Sequence, residues 1–102
     1  MPIMEITNID SIKSGNVLLD FYTTTCAPCK ALNPVLEEIA NEFKSLTVQK
    51  VEVTKSPDAA QMFGVMSVPT VVLLIDSKVK EVSRGFTGKE ALKSMVRKHI
   101  SA

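Results

Sequence analysis

Residues 16–30 read Asn16-Val17-Leu18-Leu19-Asp20-Phe21-Tyr22-Thr23-Thr24-Thr25-Cys26-Ala27-Pro28-Cys29-Lys30, and the rest of the chain is read outward from them. From Asn16 to Thr23 branched and aromatic residues run almost unbroken, the pattern of a strand buried on both faces. Asp20 sits in its middle. From Pro28 to Phe43 the apolar positions Leu32, Val35, Leu36, Ile39, Ala40 and Phe43 recur at spacings of three and four. That spacing predicts an amphipathic helix, with Pro34 as a kink inside it. The pair Cys26-Ala27-Pro28-Cys29 therefore stands where a buried strand gives way to a long helix. In a first helical turn, positions i and i+3 come about 5–6 Å apart, within the Cα window of a disulfide, so the pair can close and open without moving the backbone.

On the N-terminal side, Met4 to Thr7 reads as a short strand, and Asn8-Ile9-Asp10-Ser11-Ile12 as a capped short helix stopping near Gly15. On the C-terminal side, Thr47 to Val53 alternates as a strand, although the alternation breaks at Gln49-Lys50. Ser56 and Pro57 open a short helix that runs to Phe63 and stops at Gly64. Pro69 to Ile75 is a further apolar strand, paired with Val79 to Ser83 across Asp76-Ser77-Lys78. Lys89 to Ile100 places Leu92, Met95 and Val96 on one face of a last helix. The order β-α-β-α-β-α-β-β-α predicts an α/β domain: a mixed sheet with helices on both faces.

The 102 residues make one domain, without a linker or repeat. Twelve Lys and Arg against 11 Asp and Glu leave a formal charge of +1, so there is no basic footprint for nucleic acid. The longest apolar run, Val71 to Ile75, falls far short of the about 20 residues that span a bilayer. Met1-Pro2-Ile3-Met4-Glu5 has neither a basic segment nor an apolar one after it, which reads as no signal peptide and a cytoplasmic chain. A reducing compartment disfavours a permanent structural disulfide, so Cys26 and Cys29 are read as catalytic, redox-sensing or metal-binding. Half of a zinc site is the plain rival. It lacks a second cysteine pair, and His99 in the final helical turn is read as a surface or structural residue.

The chemistry follows from position. Cys26 at the helix start meets unpaired N–H groups and the positive end of the dipole, which favour thiolate over thiol. Pro28 has a φ suited to a first turn. Cys26 is expected to attack a disulfide and Cys29, one turn deeper, to resolve the mixed disulfide. Asp20, the acid in the buried strand, is expected to have a raised pKa through desolvation and to pass a proton to and from Cys29. Its plain alternative is an ordinary strand-end acid.

Asp20-Phe21, Cys26-Ala27-Pro28-Cys29-Lys30, Pro34 and Val68-Pro69-Thr70, followed by a terminal hairpin with Gly85, together resemble the thioredoxin family from end to end. The resemblance implies a central five-stranded mixed sheet flanked by four helices. It casts Cys26 as attacking and Cys29 as resolving residue, and matches Asp20 to the family's buried acid. Lys50 matches the lysine beside that acid, the two forming a partly buried pair. Pro69 matches the family's cis-proline, facing the cysteines, and the Val68 backbone would pair with an extended substrate segment. Thr25, Ala27, Pro28, Gly85 and Phe86 would complete the docking surface. Thr25 and Tyr22 stand where the family commonly has tryptophans. Met62, Phe63 and Met66 precede Val68-Pro69; for Met62 and Phe63 core packing is the favoured reading, while Met66 is balanced between core and partner surface.

These features read as a thiol–disulfide oxidoreductase that reduces protein disulfides as a monomer. It carries no cofactor or metal. Without a Gly-rich dinucleotide fingerprint, NADPH or flavin would sit on a separate reductase. The rivals are a glutaredoxin-like or oxidase-like protein, and a binding or sensor module of the same fold that uses Thr25, Met66 and Phe86 as its surface.

Overall fold

The structure is a computed structural model and describes residues 3–101, so part of the N-terminal segment read above, Met1-Pro2, lies outside the described residues. The strands are β1 (Ile3–Ile6), β2 (Asn16–Tyr22), β3 (Leu46–Glu52), β4 (Thr70–Ile75) and β5 (Lys78–Arg84). The α-helices are α1 (Ala27–Glu42), α2 (Pro57–Met62) and α3 (Lys89–Arg97). One five-stranded sheet runs in the order β1-β3-β2-β4-β5. Its central strand, β2, is parallel to β3 and antiparallel to β4. At the edges β1 pairs parallel with β3, and β5 antiparallel with β4. The mixed sheet is thus as expected.

Strand alternation sorts the side chains into two layers. Leu18, Val48, Val71 and Leu73 meet Leu32, Leu36 and Ile39 of α1 and Leu92, Met95 and Val96 of α3. On the opposite face Val17, Leu19, Phe21, Val51, Val72 and Leu74 pack against Ala59 of α2, with Ile9 and Ile12 at the margin. Val17, Leu18, Leu19 and Phe21 of β2 are all 0% exposed. Each contributes about 1.5–3 kcal/mol by leaving water, which is how the strand can carry an aspartate at its centre.

The expected count of four helices is corrected to three among the described residues. Ile9–Ser11 is a single 3-10 turn, although Asn8 caps it as expected by accepting from the Asp10 N–H at 2.8 Å. Only Ile9 and Ile12 offer apolar anchors before Gly15 turns the chain at φ 80°, so a second helical turn would bury nothing. The last helix ends at Arg97 rather than Ile100, with the Ile100 N–H still reaching Val96 O at 2.9 Å. The β4–β5 connection is tighter than expected: Asp76 and Ser77 have φ of 50° and 69°, the pair of left-handed residues of a two-residue hairpin.

Two departures concern side chains. Gln49, where the alternation of β3 breaks, is fully buried: its Nε2 donates to Ser11 O at 2.9 Å and its Oε1 accepts from the Lys13 N–H at 3.0 Å. It ties the 3-10 segment to the sheet. Met62, expected in the core, is 62% exposed. Ala59 and Phe63, four residues apart, take the inward face of α2, with Phe63 against Phe21 at 5.6 Å between ring centroids, and Met62 is turned outward.

Candidate active site

The active-site loop leaves the C-terminal end of β2 and enters α1. Cys26 is the N-cap of that helix, with extended backbone (φ −94°, ψ 110°), and Pro28 occupies the first turn, where its missing N–H costs nothing. The Cys26 sulfur takes the capping role usually filled by an oxygen: it accepts from the Cys29 N–H at 3.2 Å. Cys26 and Cys29 are joined by a disulfide across a Cα separation of 5.2 Å, the distance one helical turn sets. Cys26 is half-buried with Thr25, Ala27 and Pro28 exposed around it, whereas Cys29 is only 2% exposed. One sulfur faces incoming molecules and the other faces the protein.

Topology brings the remaining expected residues to the same end of the sheet. Thr70, which opens β4, pairs with Phe21 near the end of β2, and Arg84 at the end of β5 pairs with Thr70. Val68-Pro69 and Gly85-Phe86 therefore lie at the edge from which the cysteine loop departs. The Val68–Pro69 bond is cis, as the resemblance implies. Pro69 O accepts from the Gly85 N–H at 2.8 Å, and Gly85 turns there at φ 81°, a conformation side chains resist. Val68 is half-buried and Pro69 buried; Phe86 packs against the α1–α3 layer. Met66, just before this edge, is 92% exposed.

Asp20 is 0% exposed, and neither carboxyl oxygen has a hydrogen-bond partner among the described residues. Desolvation pushes its pKa up from an ordinary 3.8 to about 7, with the Lys50 charge pulling it down and Glu5 adding to the rise. The expected ion pair with Lys50 is corrected: among the described residues no such pair forms, although the two are register partners on β2 and β3. The Lys50 ammonium donates instead to Asn33 Oδ1 at 2.6 Å and lies over the Tyr22 ring, 4.3 Å from its centroid. Lys50 acts on Asp20 only through its field. Tyr22 in turn donates its hydroxyl to Glu5 Oε1 at 2.7 Å, and burial with this bond raises the phenol's pKa.

A cleft of about 300 Å³ opens beside Cys29, lined by Tyr22, Thr23, Thr24, Cys29, Lys30, Asn33 and Lys50. Asn33 and Glu5 were not singled out from the sequence. For Asn33 a signal existed, since it is a polar residue four positions after Cys29 at the margin of the helix's apolar stripe. Glu5 had none, because its contact depends on how β1 is placed. His99 lies away from this site, exposed, with its Nε2 3.0 Å from Glu81 Oε2, in keeping with the surface or structural residue expected. No group of three or more residues suited to a metal occurs among the described residues. Nor is any helix there long and apolar enough to cross a membrane.

Comparison with known proteins agrees with this geometry. The thioredoxin family model matches residues 6–98. The chain is 46% identical over 90 residues to the thioredoxin of Chlamydia muridarum, covering 88% of each chain. It is 45% identical over 87 residues to that of Bacillus subtilis, covering 84% of each. Among solved structures it is similar to a mutant thioredoxin from Halobacterium salinarum, with a TM-score of 0.90 at 28% identity over 98% of this chain and 92% of that one. A thioredoxin from Nicotiana alata superposes with a TM-score of 0.87 at 27% identity, covering 98% and 94%. With a cysteine pair already closed at a helix N-terminus and a match that takes in nearly the whole chain, the protein belongs to the thioredoxin family and is a thiol–disulfide oxidoreductase.

Proposed function

We propose that this chain reduces disulfides in other proteins through Cys26 and Cys29 and is re-reduced by a separate reductase. The observation that carries the reading is the division of labour between the sulfurs: Cys26 half-buried at the N-cap of α1, Cys29 buried one turn deeper. In the reduced protein the Cys26 thiolate attacks one sulfur of the substrate disulfide. That S–S bond breaks, one substrate thiolate departs, and a mixed disulfide remains on Cys26. Cys29, deprotonated, then attacks the Cys26 sulfur; the Cys26–Cys29 bond forms and the second substrate thiolate leaves. Two electrons have passed to the substrate. The Cys29 N–H and the start of the α1 dipole favour negative charge on Cys26.

Asp20 is assigned the proton traffic of Cys29, because a carboxyl titrating near neutrality can take a proton and return it in one cycle. Lys50 supports it electrostatically. Substrate would dock along Thr25, Ala27, Pro28, Val68, Pro69, Gly85 and Phe86, and Met66, a flexible thioether in solvent, extends that edge. The short β1 and the charged β5, with Lys78, Lys80 and Arg84, are poor templates for edge pairing, which supports action as a monomer. A dithiol couple of this kind suits the reducing cytoplasm.

Insulin reduction tests the reading, with dithiothreitol or with NADPH and a thioredoxin reductase as donor. Turnover that disappears in Cys26→Ser is expected. No turnover with dithiothreitol and with several reductases would overturn it.

A further inference from the structure

We propose that Asn33 is a positioning residue: together with the Tyr22 ring it holds the Lys50 ammonium off Asp20, so that the carboxyl is left without a direct partner. The inference rests on the reading of Asp20 as the group that exchanges a proton with Cys29.

The geometry starts from the sheet. Asp20 and Lys50 are register partners on adjacent parallel strands, so their side chains leave the same face from backbones about 4.8 Å apart. A lysine with four methylenes can reach an aspartate so placed, and an ion pair would be the default. It does not form. The ammonium lies 2.6 Å from Asn33 Oδ1 and 4.3 Å from the Tyr22 centroid, while both oxygens of the fully buried Asp20 have no hydrogen-bond partner among the described residues. Asn33 is placed for this by α1. It follows Cys29 by four residues, on the same face of the helix, and Cys29 and Asn33 line one cleft.

The consequence is electrostatic. A carboxylate in direct contact with an ammonium stays ionised well below neutrality, whereas one that feels the same charge across a gap in an apolar layer is held nearer the pH at which thiols exchange protons. The other groups facing Asp20 do not alter this. Glu5 of β1 repels the carboxylate and is itself taken up by the Tyr22 hydroxyl, the Cys29 sulfur of α1 is in the disulfide, and β4 presents Val71 opposite Asp20.

The Asp20 carboxyl can be followed by NMR titration of the oxidised protein, in which neither cysteine carries a proton. Asn33→Ala frees the ammonium to approach Asp20 and is expected to lower its midpoint by about one pH unit. Asn33→Asp, which keeps an acceptor at the same point, does not lower it. Lys50→Ala raises the midpoint, and in the Lys50→Ala background Asn33→Ala has no lowering effect. A residue that merely tied α1 to β3 would move none of these in this pattern. An unmoved midpoint in Asn33→Ala overturns the proposal, as does an equal shift with and without Lys50. The Asp20 reading is judged separately: in Cys26 mixed disulfides, an Asp20→Asn protein that resolves with an unchanged pH profile removes Asp20 from the mechanism, and the titrations still decide what Asn33 does.

Discussion

The buried Asp20 makes the stability of the oxidised protein depend on pH in a direction opposite to most acids. Its carboxyl is raised from 3.8 to about 7, chiefly by desolvation. Between these two values the folded protein keeps a proton that the unfolded chain has already lost. Stability therefore falls as pH rises through that window and levels off above about 7. A shift of about 3 units corresponds to about 4 kcal/mol over the whole window. Roughly 2 kcal/mol of it falls between pH 5.5 and 8. That upper part is the useful one. Glu38, Glu42 and Glu52 are held below the usual carboxylate range by their partners, so their contribution is lost only as pH falls below it, outside the interval.

The assay is urea unfolding of oxidised wild type and Asp20→Asn at pH 5.5 and 8. For a chain of this size, about 2 kcal/mol moves the midpoint by about 1–2 M. Wild type should lose that much over the interval and the variant should lose almost none of it. The slope, not the level, is diagnostic, because a buried amide left unpaired adds about 1–3 kcal/mol of its own at both pH values. Parallel pH dependences in the two proteins would refute the reasoning: the proton assigned to Asp20 would then belong elsewhere, and its proposed service to Cys29 near neutrality would lose its physical basis.

Other outcomes follow from the same contacts. Cys29→Ser should trap substrate on Cys26 as a stable mixed disulfide visible by mass spectrometry; an adduct-free protein after incubation with insulin would remove Cys26 as the attacking sulfur. Gln49→Ala strips partners from Ser11 O and the Lys13 N–H, at a cost of about 2–3 kcal/mol, and should speed amide exchange at Lys13; unchanged protection there would show that Gln49 does not anchor the 3-10 segment. Leu36→Ala, at a position 0% exposed between α1 and the sheet, should cost about 3 kcal/mol by urea denaturation, and a loss below about 1 kcal/mol would mean that the α1 layer closes over the gap.

What could be read in the chain follows the range of the interactions involved. The strand Asn16–Tyr22, the helix after it and the two sulfurs are set by contacts within a turn or two, and periodicity reports such contacts directly. The first helix misled because its cap is real while its apolar residues suffice for one turn only. Gln49 and Lys50 show the limit more sharply. As neighbours on a strand they point to opposite faces, and together they read only as a break in alternation. Gln49 is satisfied by the segment at Ser11–Lys13, and Lys50 by Asn33 and Tyr22. Neither choice is visible until the sheet order is known.

The same distinction separates the reacting groups from their tuning. The two cysteines are legible because a helix brings positions i and i+3 together; the environment of Asp20 is assembled from β1, β2, β3 and α1, and a matching lysine suggested an ion pair that Asn33 and Tyr22 prevent. Tyr22 sharpens the point. It stands where the family commonly has tryptophan, whose one donor is an N–H on the edge of the indole rather than a hydroxyl at the far end of the ring. In this chain the phenol has its ring under the ammonium and its O–H on the carboxylate. Lys50 lowers the Asp20 pKa and Glu5 raises it, so Tyr22 holds in place both charges that act on the buried acid. The departure from tryptophan thus bears on the electrostatics beneath the disulfide as well as on the surface a substrate meets.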